Sequence, residues 1–93
     1  MLAAERAEVE RREREEAAKR EAERQRRESL VGEVTAWRRA AEIRAYVEAV
    51  RAEVEKSGTG ESEEFREWER WAMGVAGEMD PVGRRERFAT RRE

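Results

Sequence analysis

The side chains able to do chemistry in this chain are hydroxyls, carboxylates, guanidinium groups and indoles. There is no histidine and no cysteine, so the usual proton carrier near neutral pH is missing. Histidine-dependent triads, thiolate nucleophiles, disulfides and thiolate zinc sites are excluded with it. The hydroxyls are Ser29, Ser57, Ser62, Thr35, Thr59, Thr90 and Tyr46, and several fall at helix caps or turns, where a hydroxyl serves the backbone. Lys19 and Lys56 read as solvated. The many glutamates lie on exposed helix faces beside arginines, which keeps them ionised and untuned. Gly58-Thr59-Gly60 follows a helix and lacks the spacing and the lysine of a phosphate loop. Asp80 is the only aspartate, too few for a cation site built from oxygen ligands. The expectation is a non-enzyme with no catalytic residue, no cofactor and no metal.

Two groups keep a binding role open. The aromatics Trp37, Tyr46, Phe65, Trp68, Trp71 and Phe88 could line a pocket or stack on bases. Periodicity favours packing instead, because Phe65, Trp68, Ala72, Val75 and Met79 recur at alternating steps of three and four, one stripe of a helix. Trp71 widens that stripe from off its centre, where a protein partner is a better guess than a cofactor. The second group is the arginine-rich end, with Arg84, Arg85, Arg87, Arg91 and Arg92 in the last ten residues. Arg84, Arg85 and Arg87 could contact phosphate, but Glu86 interrupts the run and no base-reading element accompanies it. Pairing of these arginines with glutamates between Glu61 and Glu69 is the simpler account.

These residues must be carried by a chain of 93 residues, 47% of them charged, with 21 basic and 23 acidic side chains and a net charge of -2. The two signs are interleaved, so no strong single-sign field is presented and a polyanion is not the default partner. No run approaches the roughly 18 apolar residues of a membrane span, and the N-terminus lacks a secretory apolar region. The reading is a soluble, cytoplasmic protein that makes no membrane contact. A chain that opens in the middle of a charged helical pattern also reads as a piece of something longer.

From Leu2 to Glu28 nearly every residue is Ala, Glu, Arg, Lys or Gln, all strong helix formers. Glu8 with Arg12, Glu10 with Arg14, Glu15 with Lys19, Glu16 with Arg20, and Glu23 with Arg27 set opposite charges in the favourable i, i+4 order, each contributing about 0.2 to 0.5 kcal/mol. Arg20 and Arg24 set like charges at that spacing. Leu2 and Val9 are one heptad apart, but Glu16 and Glu23 follow in that register, so residues 1–28 are expected to form a single charged helix, with a weak coiled coil as the competing form.

At Ser29 the composition changes. Leu30, Val31, Val34, Trp37, Ala40, Ala41, Ile43, Val47, Val50 and Val54 make a broad apolar face. Ser29 could cap a new helix, but nothing between Arg26 and Glu33 is a strong stop, and continuity is favoured over a break at Gly32. Residues 29–80 are read as a helical hairpin, with helices at about 30–56 and 62–79 and a turn at 57–61. Lys56, Ser57, Gly58, Thr59 and Gly60 end the first helix. Thr59 or Ser62 caps the second, whose first turns carry Glu61, Glu63, Glu64 and Glu67. Asp80-Pro81 ends it and could start another, but Gly83 weakens that element, so 81–93 is read as a basic tail or short helix.

The phrases Trp37-x-x-Ala40-x-x-Ile43-Arg44-x-Tyr46-Val47-x-Ala49 and Trp68-x-x-Trp71-Ala72 followed by Met79-Asp80-Pro81 resemble the C-terminal region of uncharacterised bacterial proteins. In these a Glu/Arg-rich coiled-coil segment leads into a tryptophan-bearing helical hairpin. The resemblance spans about Arg24 to Pro81 and implies a module appended to larger proteins linked to mobile elements. It carries no catalytic residue over, and Arg44 is marked only because it sits within the apolar segment.

The fold class expected is all-α, a long charged helix running into an antiparallel hairpin. A hairpin of about fifty residues buries too little to be comfortable alone, so the expected state is a homodimer resembling a four-helix bundle. Its core or interface is assigned to Trp37, Ile43, Val47, Val50, Phe65, Trp68, Trp71, Val75 and Met79. The function expected is a non-catalytic interaction and oligomerisation module with a helical spacer. The alternatives are a nucleic-acid-associated module using the arginine-rich end and an accessory segment of a larger enzyme.

Overall fold

The computed structural model describes residues 2–90, which form three α-helices and no strands: α1, Ala3–Ser57; α2, Glu63–Met79; and α3, Val82–Thr90. Arg91 and Arg92, part of the expected basic tail, lie outside the described residues. The chain divides into two units, Met1–Gly32 and Glu33–Glu93.

The first unit is the N-terminal part of α1. Every described residue in it is exposed except Glu8, so its helix rests on propensity and on ion pairs between neighbouring turns. Arg11 bridges Glu8 and Glu15, Arg24 bridges Glu21 and Glu28, and Arg12 and Arg27 reach back to Glu8 and Glu23. Arg24, expected to repel Arg20, is instead neutralised by a glutamate on either side. Leu2 and Val9 are exposed.

The second unit holds the tertiary contacts. The rest of α1 packs antiparallel against α2, as the cross-helix pairs Arg44 with Asp80 and Arg51 with Glu69 show. The turn between them follows from local chemistry. The Ser57 hydroxyl donates to the Val54 carbonyl at 2.6 Å, and Gly58 and Gly60 take φ of 71° and 82°. This left-handed backbone costs any residue with a Cβ about 1 to 2 kcal/mol. Ser62 then caps α2 by accepting the Phe65 N–H at 3.0 Å, and Glu63 and Glu64 place negative charge on its positive end.

The contact surface between α1 and α2 is made of small side chains. Ala40 and Val47 on α1 and Ala72 and Ala76 on α2 are the buried apolar residues of the helices, with Ala40 and Ala76 at 0% exposure. Alanines on both sides let the two backbones approach closely. Around this seam Ile43, Val50, Phe65, Trp68, Val75 and Met79 are half-buried.

At the far end of α2 the Asp80 N–H bonds the Ala76 carbonyl, while Asp80 Oδ1 accepts the Val82 N–H at 3.0 Å. Pro81, buried, stands just before α3, where its missing N–H costs nothing, and its carbonyl accepts the Arg85 N–H at 3.1 Å. From this cap α3 runs through Gly83 to Thr90.

Candidate functional site

Two sides of the hairpin differ in chemistry because the helical period sorts residues beside the alanine seam. One flank is an ion-pair network. Arg51, seven residues from Arg44 along the same face of α1, pairs with Glu69 on α2 and Glu61 in the turn, and its guanidinium lies 5.6 Å from the centre of the Phe65 ring. Arg44 Nη1 donates to Asp80 Oδ2 at 2.8 Å. Glu33 receives two bonds from Arg85 on α3, at 2.6 and 2.7 Å. The acids respond as their partners require. Asp80 is held below the usual carboxylate range by the Val82 N–H and then by Arg44; Glu69 is lowered by Arg51 and Glu33 by Arg85. Arg51 is pushed up by Glu69 and Glu61.

The other flank is an apolar groove of about 450 Å³. Ile43, Tyr46 and Val47 line it from α1, and Trp68, Trp71, Ala72, Val75 and Met79 from α2, with Arg39 and Glu42 at the edge. Tyr46 meets Trp68 edge to face at 6.3 Å, and Phe65 lies 6.0 Å from Trp68, arrangements that suit aromatic quadrupoles. The two groove residues furthest from the seam stand open to solvent: Trp71 is 66% and Tyr46 64% exposed. Large apolar side chains clustered this way, rather than scattered, mark a surface made for contact.

Trp37 does not join this group. It is 50% exposed, and the step of nine positions from it to Tyr46 makes about two and a half turns, which puts the two rings on opposite sides of α1. Trp37 stands about 60° from Ala40, in the same sense as Arg44 from Val47, on the side of the ion pairs and away from the groove.

The arginine-rich end is divided by the fold. Arg85 is committed to Glu33, whereas Arg84 and Arg87 line a separate cleft with Arg44, Gly77, Glu78, Asp80 and Gly83. The expected pairing with Glu61 to Glu69 does not form for Arg85, since α3 follows the C-terminal end of α2 and those glutamates lie at its N-terminal end. Phe88 is exposed, with the Arg85 guanidinium 5.8 Å from its ring centre.

The network of Arg51 and Glu33 is the part of this site that periodicity alone did not single out. Its signal was present: Arg44 and Arg51 interrupt the apolar face at heptad spacing, and Glu33 lies one heptad before Ala40. Among the described residues no three His, Cys, Asp or Glu side chains are grouped to hold a metal ion, and no helix is long and apolar enough to cross a membrane. No family model, curated protein or solved structure matches this chain.

Proposed function

We propose that the chain is a non-catalytic interaction and oligomerisation module whose hairpin docks helices in the groove between Tyr46 and Trp71. The charged helix of residues 1–28 serves as a spacer, and the setting is cytoplasmic. The observation that carries the reading is the joint exposure of Trp71 and Tyr46, at 66% and 64%, over the half-buried Trp68 and Val75. An aromatic surface of this kind gains most when a second apolar face excludes water from it. The ion-pair network on the opposite flank holds α1, α2 and α3 in one arrangement, so the groove is formed before any partner arrives, which lowers the ordering cost of docking.

The test is titration of the full chain with a synthetic amphipathic helical peptide carrying leucine at heptad a and d positions, followed by tryptophan emission. A saturable blue shift that Trp71→Glu removes supports the reading. A chain that neither takes up the peptide nor self-associates refutes it.

A second reading is favoured by one observation, the convergence of Arg84 and Arg87 with Arg44 around a common cleft. It makes α3 a contact for nucleic-acid phosphate. Glu78 and Asp80 share the cleft and Arg85 is withdrawn to Glu33, so this reading ranks second.

A further inference from the structure

We infer that the partner of the aromatic groove is the same groove of a second copy, two hairpins closing face to face into a four-helix bundle. The inference rests on the helix-docking reading and names its occupant.

The argument is angular. Val47 and Ala72 are buried in the seam and so mark the direction in which each helix faces the other. Tyr46 and Trp71 each precede a seam residue by one position, about 100° around the helix and in the same sense on both. They therefore crown their own helices rather than lean over the groove between them. Ile43 and Trp68 precede Val47 and Ala72 by four positions, about 40° from the seam, on the arc between the seam and the crowns. A helix in a square bundle has two neighbours at right angles and a centre-facing arc between them. The hairpin supplies the first neighbour through the alanine seam. It leaves both crowns and both arcs ready for the second. A single helix settled in the groove covers the arcs and only the inner edges of the crowns, whereas a second hairpin places one helix above each crown.

Area and core size agree. The buried apolar residues of the hairpin's helices are Ala40, Val47, Ala72 and Ala76, and no large side chain is fully buried. With so small a core, a unit of this size is marginal unless something further covers its apolar faces. Two helical faces about 15 residues long, closed on a copy, bury on the order of 1,000 Å² in total, the lower bound for a specific interface.

Charge neither helps nor hinders. Arg39 and Glu53 lie seven residues either side of Tyr46, and Glu64 and Glu78 seven either side of Trp71. With the two-fold axis across the helices, Arg39 meets the partner's Glu53 while Glu64 meets the partner's Glu78. With the axis along them, Arg39 meets the partner's Glu78 while Glu53 meets the partner's Glu64. Either operation yields one attractive and one repulsive kind of contact at an exposed rim, where such pairs contribute little and oppose one another. Apolar burial decides, and the association is insensitive to salt.

Sedimentation equilibrium of the full chain, from about 1 to 200 µM, should show a monomer–dimer equilibrium with a micromolar dissociation constant. Raising NaCl from about 50 to 500 mM should change it less than about threefold. Trp71→Glu and, on the other helix, Tyr46→Glu should each weaken the dimer at least about a hundredfold while circular dichroism shows the helices intact. Met73→Glu, two residues from Trp71 but lining the charged flank with 43% exposure, should leave the constant within about threefold. A wild-type chain that stays monomeric throughout, or a Met73→Glu chain that dissociates as readily as Trp71→Glu, overturns the inference. A monomer that still takes up the helical peptide overturns self-docking alone; one that does not overturns the docking reading as well.

Discussion

Arg44 and Asp80, 36 positions apart, meet at 2.8 Å, and the same aspartate caps α3 through its other oxygen at the Val82 N–H. One carboxylate thus joins the C-terminal half of α1, the end of α2 and the start of α3. The second fastening of α3 is Arg85 to Glu33, and between the two pairs the basic helix is fixed along one side of α1.

Asp80 separates two contributions that its substitutions can resolve. Asp80→Asn keeps an oxygen to accept the Val82 N–H but gives up the charge attracting Arg44; Asp80→Ala loses both. Amide exchange over residues 84–90 should rise modestly in the first variant and by about fivefold or more in the second. Equal exchange in the two variants would show that the Arg44 pair, rather than the cap, sets the stability of α3.

Acid should loosen the same contacts. Asp80, Glu69 and Glu33 all have folded pKa values below their ordinary ones, through the Val82 N–H and Arg44, through Arg51, and through Arg85. The unfolded chain therefore binds more protons in the window that begins near pH 4 to 4.5 and extends downward. The stabilisation is complete above that range and disappears as pH falls through the folded values. With no histidine in the chain, the thermal midpoint should be flat from about pH 6 to 8 and fall on acidification below about pH 4. A midpoint that rises there would contradict the assignment of these ion pairs.

The alanine seam should resist enlargement. Ala76, fully buried against α1, has no room for added methylenes, so Ala76→Leu should cost about 1 to 3 kcal/mol. Trp68→Ala should cost about 2 kcal/mol, below the 3 to 5 of a fully enclosed indole, because Trp68 is only half-buried. Chemical denaturation of both variants checks the ordering. A neutral Ala76→Leu would mean that the helices stand further apart than the seam implies.

The phosphate reading of α3 makes an opposite demand on salt. If Arg84 and Arg87 bind nucleic acid, Arg84→Gln with Arg87→Gln should abolish retention by a DNA or RNA oligonucleotide, and retention by the wild type should decline steeply with ionic strength. Arg85→Gln should instead act through α3, releasing Glu33. Absence of retention by the wild type at about 50 mM salt removes this reading.

The amino-acid sequence by itself determined that the chain is helical. Ala, Glu, Arg and Lys run almost unbroken to Glu28, no strong stop follows before Ser57, and the punctuation at Gly58-Thr59-Gly60 and Asp80-Pro81 acts over a few bonds, where residue chemistry and backbone conformation are directly coupled. The apolar stripe of α2 was legible for the same reason, as a period. Which members of that stripe would be enclosed was not, because burial depends on the angle at which a second helix arrives. The tertiary structure settled that angle with its smallest side chains: Ala40, Ala72 and Ala76 fill the seam, and the larger Trp71 and Tyr46 are turned about 100° away from it. It likewise decided which of many arginines matter, since Arg44, Arg51 and Arg85 are chemically identical to their neighbours and acquire roles only by standing opposite Asp80, Glu69 and Glu33.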